Sequence, residues 1–505
     1  MKKSTKFLSA LLLFAFLAGL LLSAPSCGSG SDSSGAQKQT DNAALVADEA
    51  NDGGEESEAE SYPAPNLPEI NLGGADFVVG TNDYSIPIWS QRDFGAEAEN
   101  GDTINDAVYR RNSLVDEMFN CKVVENMQMD LPGQIKKLVK AGDGAIDAVT
   151  VRLRNLGDLA STNNLVEFSH LSYVNLEAPW WDSNCVSDLS IANKVFGVAS
   201  DMTLMDKDST TAMVFNKQMQ ADYGIENLYG LVNDGKWTLD RLLELCKLVS
   251  VDVDGNGIFD DKDSYGLLYQ RDTMSSFLSG CGEFIGGKDE NDLPILTLNT
   301  PKALEVLDKL YDILYDERYC FHVMKFFDST SIGFTDGMNM MFQDDRGLFM
   351  WIRMADVENL RTMDTDFGIL PIPKYNEAQA NYLQTVNPYV GVVSSVPQCA
   401  ASFDNSGAII EYMSYVSKST LQPAYYEVVL STKIARDEES SKMLDIIFAN
   451  RAYDIGDVFD FGSLGSDVIY MTMTFNRNMV STYEKKENSA LKAIDKLVEK
   501  IQEIE

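Results

Sequence analysis

The chain has 505 residues, with 77 acidic side chains against 41 lysines and arginines, a formal charge of −36 and 45% hydrophobic residues. So acidic a balance argues against a nucleic-acid interface and against a basic membrane-docking face. Two histidines, His170 and His322, exclude a zinc site of several imidazoles and leave a Ser/His/Asp triad only two places to rest.

Lys2, Lys3 and Lys6 precede an apolar run from Phe7 to Leu22, which is too short and wrongly flanked for a stable membrane span and reads as an export signal. The run ends in small residues around Cys27. From Gly28 to about Pro68 the chain is Ser, Gly, Ala, Asp and Glu with hardly a large apolar residue, so residues 27–68 read as a disordered tether. The remaining 437 or so residues, Glu69 to Glu505, are too many for one compact core and call for two lobes. The signal's three lysines, and the tether's nine acids against Lys38, leave about −31 on this folded part. Cys121, Cys185, Cys246, Cys281, Cys320 and Cys399 show no repeated spacing, so no disulfide framework can be read; Cys246, on an apolar helix face, reads as a buried free thiol.

Phe77 to Val79 reads as a strand, and Thr103 to Phe119 as a helix in which Thr103 and Asp106 are spaced as a capping box. Strand Lys122–Val124, a helix near Gln134–Val139 and strand Ile146–Val151 complete βαβαβ, hence a mostly parallel sheet with helices on both faces. A second such region begins near Val195. Trp237 and Leu242 bracket Thr238 as a hydrophobic staple on the helix carrying Leu239, Leu243, Cys246 and Val249. Helix Lys302–Tyr315, a helical stretch Ser331–Met341, strands Gly347–Ile352, Phe367–Leu370 and Tyr389–Val396, helix Ser406–Ser417 and helix Ala490–Ile504 follow. The fold class is α/β.

Asp252-Val-Asp254-Gly-Asn256-Gly257-Ile258-Phe-Asp260-Asp-Lys-Asp263 resembles an EF-hand or dockerin calcium loop. It offers oxygens from Asp252, Asp254, Asn256, Asp260 and Asp263, with the carbonyl of Ile258 at the seventh position and Gly257 at the sharp turn. Asp263 stands where an EF-hand has Glu and a dockerin Asp. The expected cofactor is a structural Ca2+; the alternative is an acidic Asn-Gly turn that needs no metal.

Ser23-Ala24-Pro25-Ser26-Cys27 resembles the bacterial lipobox, which implies removal of residues 1–26 and lipidation of Cys27; Ala24 stands where the lipobox favours leucine, Pro25 is unusual, and ordinary cleavage or an uncleaved anchor are the alternatives. Asn100 to Asn112, Pro179-Trp-Trp-Asp182, Ser209 to Lys217, Gly235-Lys-Trp-Thr-Leu239 and Phe367 to Lys374 resemble, in order, the extracellular solute-binding proteins of ABC importers, family 1, the group of maltose-binding protein. The resemblance implies a two-lobed periplasmic-binding-protein fold of type II with an interlobe cleft. By analogy the first lobe takes residues 69–200 and 390–430, and the second 201–389 and 431–505. It further implies a monomeric, non-enzymatic protein on the outer face of a bacterial membrane, which captures a sugar and delivers it to an ABC permease.

Sugars stack an apolar ring face on aromatics and pair hydroxyls with polar groups. Trp89 and Trp351, each after or at the end of an apolar strand, are the candidate stacking residues; Asp201, Arg353 and Tyr389 are the polar candidates. Trp237 is assigned to packing, and one of Trp180 and Trp181 to the cleft. A secreted hydrolase on a two-lobed scaffold and a surface adhesin are the rival readings. Acid pairs suited to glycoside hydrolysis abound, but at this acid content they arise by chance.

Overall fold

The computed structural model describes residues 62–83, 91–324, 333–431 and 438–504; Cys27 and Trp89 lie outside them. The elements below belong to the unit Pro63–Glu505. In chain order the strands are β1 Ala75–Asn82, β2 Cys121–Gln128, β3 Ala148–Arg152, β4 Thr211–Asn216, β5 Tyr265–Tyr269, β6 Gly286–Lys288 and β7 Pro294–Leu296. They continue as β8 Cys320–His322, β9 Gly347–Arg353, β10 Phe367–Leu370, β11 Gln384–Thr385, β12 Val392–Ser395 and β13 Arg451–Ala452.

The first lobe is built on a sheet of order β12-β3-β1-β2. β1 lies parallel to both β2 and β3, with Phe77 opposite Val123 and Val79 opposite Ala148, and β12 closes the edge antiparallel to β3. The connecting helices, Thr103–Phe119 and Leu131–Ala141, bury apolar stripes such as Ile104, Val108 and Val115. The N-cap differs from expectation by one residue. Asp102 is the cap, accepting from the Asn105 N–H at 2.8 Å, while Asp106 reaches back to the Asn100 N–H at 2.8 Å. The reciprocal logic of a capping box survives, but the stronger carboxylate acceptor displaces the threonine.

The second lobe carries a sheet of order β10-β4-β9-β5-β8, in which β5, β8 and β9 run parallel and β4 runs antiparallel to both of its neighbours. Every residue of β4, β5, β9 and β10 is buried, as in a sheet covered on both faces. Trp237 and Leu242 are fully buried around the cap Thr238, whose side chain accepts from the Arg241 N–H, so the staple forms as read. The expected helices at 302–315 and 331–341 are Pro301–Leu314 and Phe334–Gln343.

Two chain passages between the lobes run side by side: the Asn387 N–H donates to the Ser209 carbonyl at 3.0 Å, and Thr210 bridges Val386. Helices Phe403–Ser417 and Leu421–Ser431 pack on the first lobe's helix Thr103–Phe119, and helix Glu438–Ala449 packs on β10. The last helix, Met479–Gln502, lies against helix Leu464–Thr474, β7 and helix Leu153–Ser161. Trp180 and Trp181 are both buried, the first edge-on to Tyr415 and the second donating to Glu411 at 2.8 Å, so neither faces the cleft. The six cysteines among the described residues are free thiols, and Cys246 is buried. Among the described residues no helix is long and apolar enough to cross a membrane.

Candidate functional site

An open sheet of parallel strands gathers its functional groups beyond their carboxyl ends, because the loops there are free to vary while the strands hold them in place. In the second lobe that edge comprises the ends of β5 and β9 and the start of β4, since Thr211 lies opposite Arg353. In the first lobe it comprises the end of β3, where the helix Leu153–Ser161 begins with Arg154 in its first turn. Where Arg154 of the first lobe meets the second is a cavity of about 20 Å³, lined by second-lobe residues, Thr211, Asp272, Ser275, Thr385, Tyr389 and Asp457 among them.

The polar atoms around this cavity are short of partners. Among the described residues, the hydroxyls of Thr211, Ser275 and Thr385 make no hydrogen bond although they are buried. At the same strand ends, the Gln270 side-chain oxygen and one Asp356 oxygen are also unpartnered. A buried, unpaired polar atom costs roughly 1–3 kcal/mol, and such atoms are rare in folded proteins unless something else satisfies them. Five such atoms gather at this one strand-end edge. A larger groove, about 570 Å³, runs between Leu293 and the last helix, but it is an open surface trough without such a set of unpartnered atoms around it.

The electrostatics are organised by arginines from both sides. Arg154 pairs with Asp457 at 3.3 Å and Asp460 at 2.9 Å and lies 4.6 Å over the Tyr389 ring. Burial pushes the Asp457 carboxyl up to about 7, with Asp454 adding to the rise and Arg154 opposing it. Asp272, at the start of helix Thr273–Gly280, is likewise raised by burial, while Arg271 and Arg353 pull it back. A second bridge joins the lobes: Arg92, in the loop after β1, reaches Glu358, after β9, at 3.2 Å and Asp208, before β4, at 4.0 Å. Burial raises Asp208 to about 6, opposed by Arg92 and by the hydroxyl of Tyr425.

The residues expected to bind ligand are placed unevenly. Tyr389 lines the cavity, its ring 38% exposed and its hydroxyl 3.2 Å from that of Ser466. Arg353 sits beside it at the end of β9, buried and paired with Asp356 at 2.9 Å. Asp201 is away from the cavity at the start of the passage to β4, held by Lys207 at 3.3 Å and Lys418 at 3.6 Å. Trp351 is 0% exposed in the middle of the second sheet, opposite Met213, so it offers no free ring face in this conformation. Asp272, Asp457, Thr211 and Thr385 were not anticipated. Asp272 carried a local signal, since it follows the apolar run Tyr265–Tyr269 by three residues and opens a helix; the others carried none.

His170 is exposed and His322 is buried edge-on against Tyr269, so neither imidazole lines the cavity. In the calcium-like loop, carboxylate oxygens of Asp252, Asp254 and Asp263 lie within 4.8 Å of one another. Gly257 has φ +80°, a left-handed conformation that favours glycine, and its N–H donates to Asp252 at 2.7 Å. Asp263 is buried and accepts from the N–H groups of Val253 and Asp260.

No protein-family model and no curated protein matches the chain. Solved structures do. UspC of M. tuberculosis is 14% identical, with 83% of this chain and 100% of that one covered at a TM-score of 0.56. The cyclic α-maltosyl-1,6-maltose binding protein of Arthrobacter globiformis is 12% identical over 84% and 99% of the two chains, at 0.53. A family 1 extracellular solute-binding protein of Bifidobacterium longum subsp. infantis is 13% identical over 85% and 99%, at 0.51. The chain therefore has the two-lobed α/β fold of the extracellular solute-binding proteins.

Proposed function

We propose that this protein is the extracytoplasmic substrate-binding component of an ABC importer, that it captures a sugar between its lobes, and that it passes the sugar to a membrane permease. The observation that carries the reading is the set of buried hydroxyls of Thr211, Ser275 and Thr385, unpartnered among the described residues, around a cavity beside Tyr389 on the second lobe's side of the junction with the first. Hydroxyls and carboxylates beside an aromatic ring suit a polyol with an apolar ring face. The fold shared with a protein named for binding an α-linked maltosyl sugar supports the same class. A cavity of about 20 Å³ holds at most a water, whereas small-molecule pockets run to roughly 300 Å³ or more, so ligand enters after the lobes part. The Arg92–Glu358 and Arg154–Asp457 bridges are the contacts that parting breaks.

A thermal-shift screen of sugars tests the reading. A ligand at 100 times its Kd stabilises the folded state by about 2.7 kcal/mol, so a binder raises Tm by several degrees, with no product formed from glycosides or esters. Product formation would favour the secreted hydrolase, and a blank sugar library would sink the carbohydrate assignment. The lipid anchor belongs to the same proposal and is read from the same preparation. Intact mass should show a mature chain beginning at Cys27 with acyl chains attached, and a water-soluble chain beginning elsewhere ends it.

The loop Asp252–Asp263 is a calcium site in this reading, with a structural role in the second lobe. Three carboxylates so close repel one another unless a cation sits among them, and carboxylate, amide and carbonyl oxygens are the donors calcium takes. Adding calcium after chelation should raise Tm by several degrees, and Asp252→Ala should abolish the rise. An unchanged melting temperature across chelation would make the loop a turn only.

A further inference from the structure

Among the described residues, the side chains lining the cavity at the lobe junction include two carboxylates, Asp272 and Asp457, and no basic group. The surrounding charges do not cancel them. Asp454 and Asp460 flank Asp457, and Asp356 lies beyond Thr211 at the end of β9. Among the described residues, three guanidiniums stand against these five acids: Arg154, engaged by Asp457 and Asp460; Arg353, engaged by Asp356; and Arg271, 3.6 Å from Asp272. The buried hydroxyls of Thr211 and Thr385 open on the same cavity without partners, and a hydroxyl oxygen accepts from an N–H as readily as from an O–H.

We infer that the ligand carries an ammonium group seated between Asp272 and Asp457, and so is an amino sugar rather than a neutral or acidic one. The inference rests on this cavity being the ligand site. An ammonium brings three donors and a positive charge to an enclosed place that holds acceptors and a negative excess, so it satisfies hydrogen bonding and charge together. A neutral sugar donates a hydroxyl to either carboxylate but leaves the excess charge in place. A uronic acid or sugar phosphate adds a like charge to a site already short of cations, and is rejected. Burial already raises both carboxyls, as expected of acids waiting for a counter-charge.

Matched disaccharides, α- and β-linked, that differ at one ring carbon as free amine, acetamide or hydroxyl, together with the corresponding uronic acids, decide the question by calorimetric titration of the full-length protein. The amine member should bind about tenfold or more tightly than its hydroxyl counterpart, with the uronic acid weakest. Asp272→Asn and Asp457→Asn, isosteric changes checked by melting, should each erase most of that preference by weakening the amine member. A hydroxyl, acetamide or acidic member that binds as tightly as the amine overturns the inference and leaves the sugar-binding reading standing. No binding by any member overturns both.

Discussion

Replacing Arg451 with methionine should lower the stability of the protein by about 3–5 kcal/mol, the usual cost of removing one partner from a buried ion cluster. The guanidinium reaches Asp182 at 2.7 Å and Asp206 at 2.5 Å, and all three side chains are buried. Methionine fills much of the space but leaves two carboxylates in a dry interior. The hydroxyls of Tyr453 and Thr203, at 2.7 and 2.9 Å, give each carboxylate a hydrogen bond, and among the described residues the one remaining cation near the pair is Lys207, 3.8 Å from Asp206 and shared with Asp201. The cluster also ties together three separate stretches of chain: Asp182 caps helix Ser183–Leu189 of the first lobe, Asp206 lies on the passage into β4, and Arg451 begins the strand that pairs with β11. Urea melts of Arg451→Met against the parent protein measure the loss. Adding Asp206→Asn should restore part of it, because the second change removes one of the two carboxylates that have lost Arg451. A midpoint that does not move in Arg451→Met would mean the cluster contributes nothing net.

How much of this architecture could be read beforehand follows from how local each signal is. Strand Phe367–Leu370 and the staple around Thr238 were legible because a short apolar run or a capping pattern suffices to specify them. β4 and β5 gave no alternation to read: Thr211–Asn216 and Tyr265–Tyr269 are buried on both faces, so the period of two that exposes a half-buried strand is missing. The final helix was legible from Ala490 onward and not in its first turns from Met479, which carry Thr, Glu and Lys on an exposed face. The site was the least legible part. Tyr389 and Arg353 could be placed from strand ends, but the meeting of Asp272 with Asp457, or of Arg154 with either, depends on passages of chain between the lobes that no local pattern encodes.

Trp351 separates two uses of one aromatic residue, and its substitution is the second large effect. A tryptophan at the end of an apolar run reads equally as a platform facing a cleft and as sheet core. The structure encloses it completely at a position paired with Met213, on the central strand of the five-stranded sheet. Trp351→Ala should therefore cost about 3–5 kcal/mol of stability through the cavity it leaves. Trp351→Phe should cost distinctly less. It keeps a ring in place and removes an indole N–H that has no partner among the described residues, and an unpaired buried donor is itself a liability of roughly 1–3 kcal/mol. Denaturant melts of both variants give the stability order, parent above phenylalanine above alanine. Titration with any sugar that binds the parent protein then distinguishes the two uses. If Trp351→Ala melts like the parent while its affinity falls about tenfold, the ring is a platform that opening of the lobes uncovers. If its stability collapses while Trp351→Phe binds as the parent does, the ring serves the sheet, and Tyr389, half-exposed at the cavity, is left as the aromatic surface for the sugar.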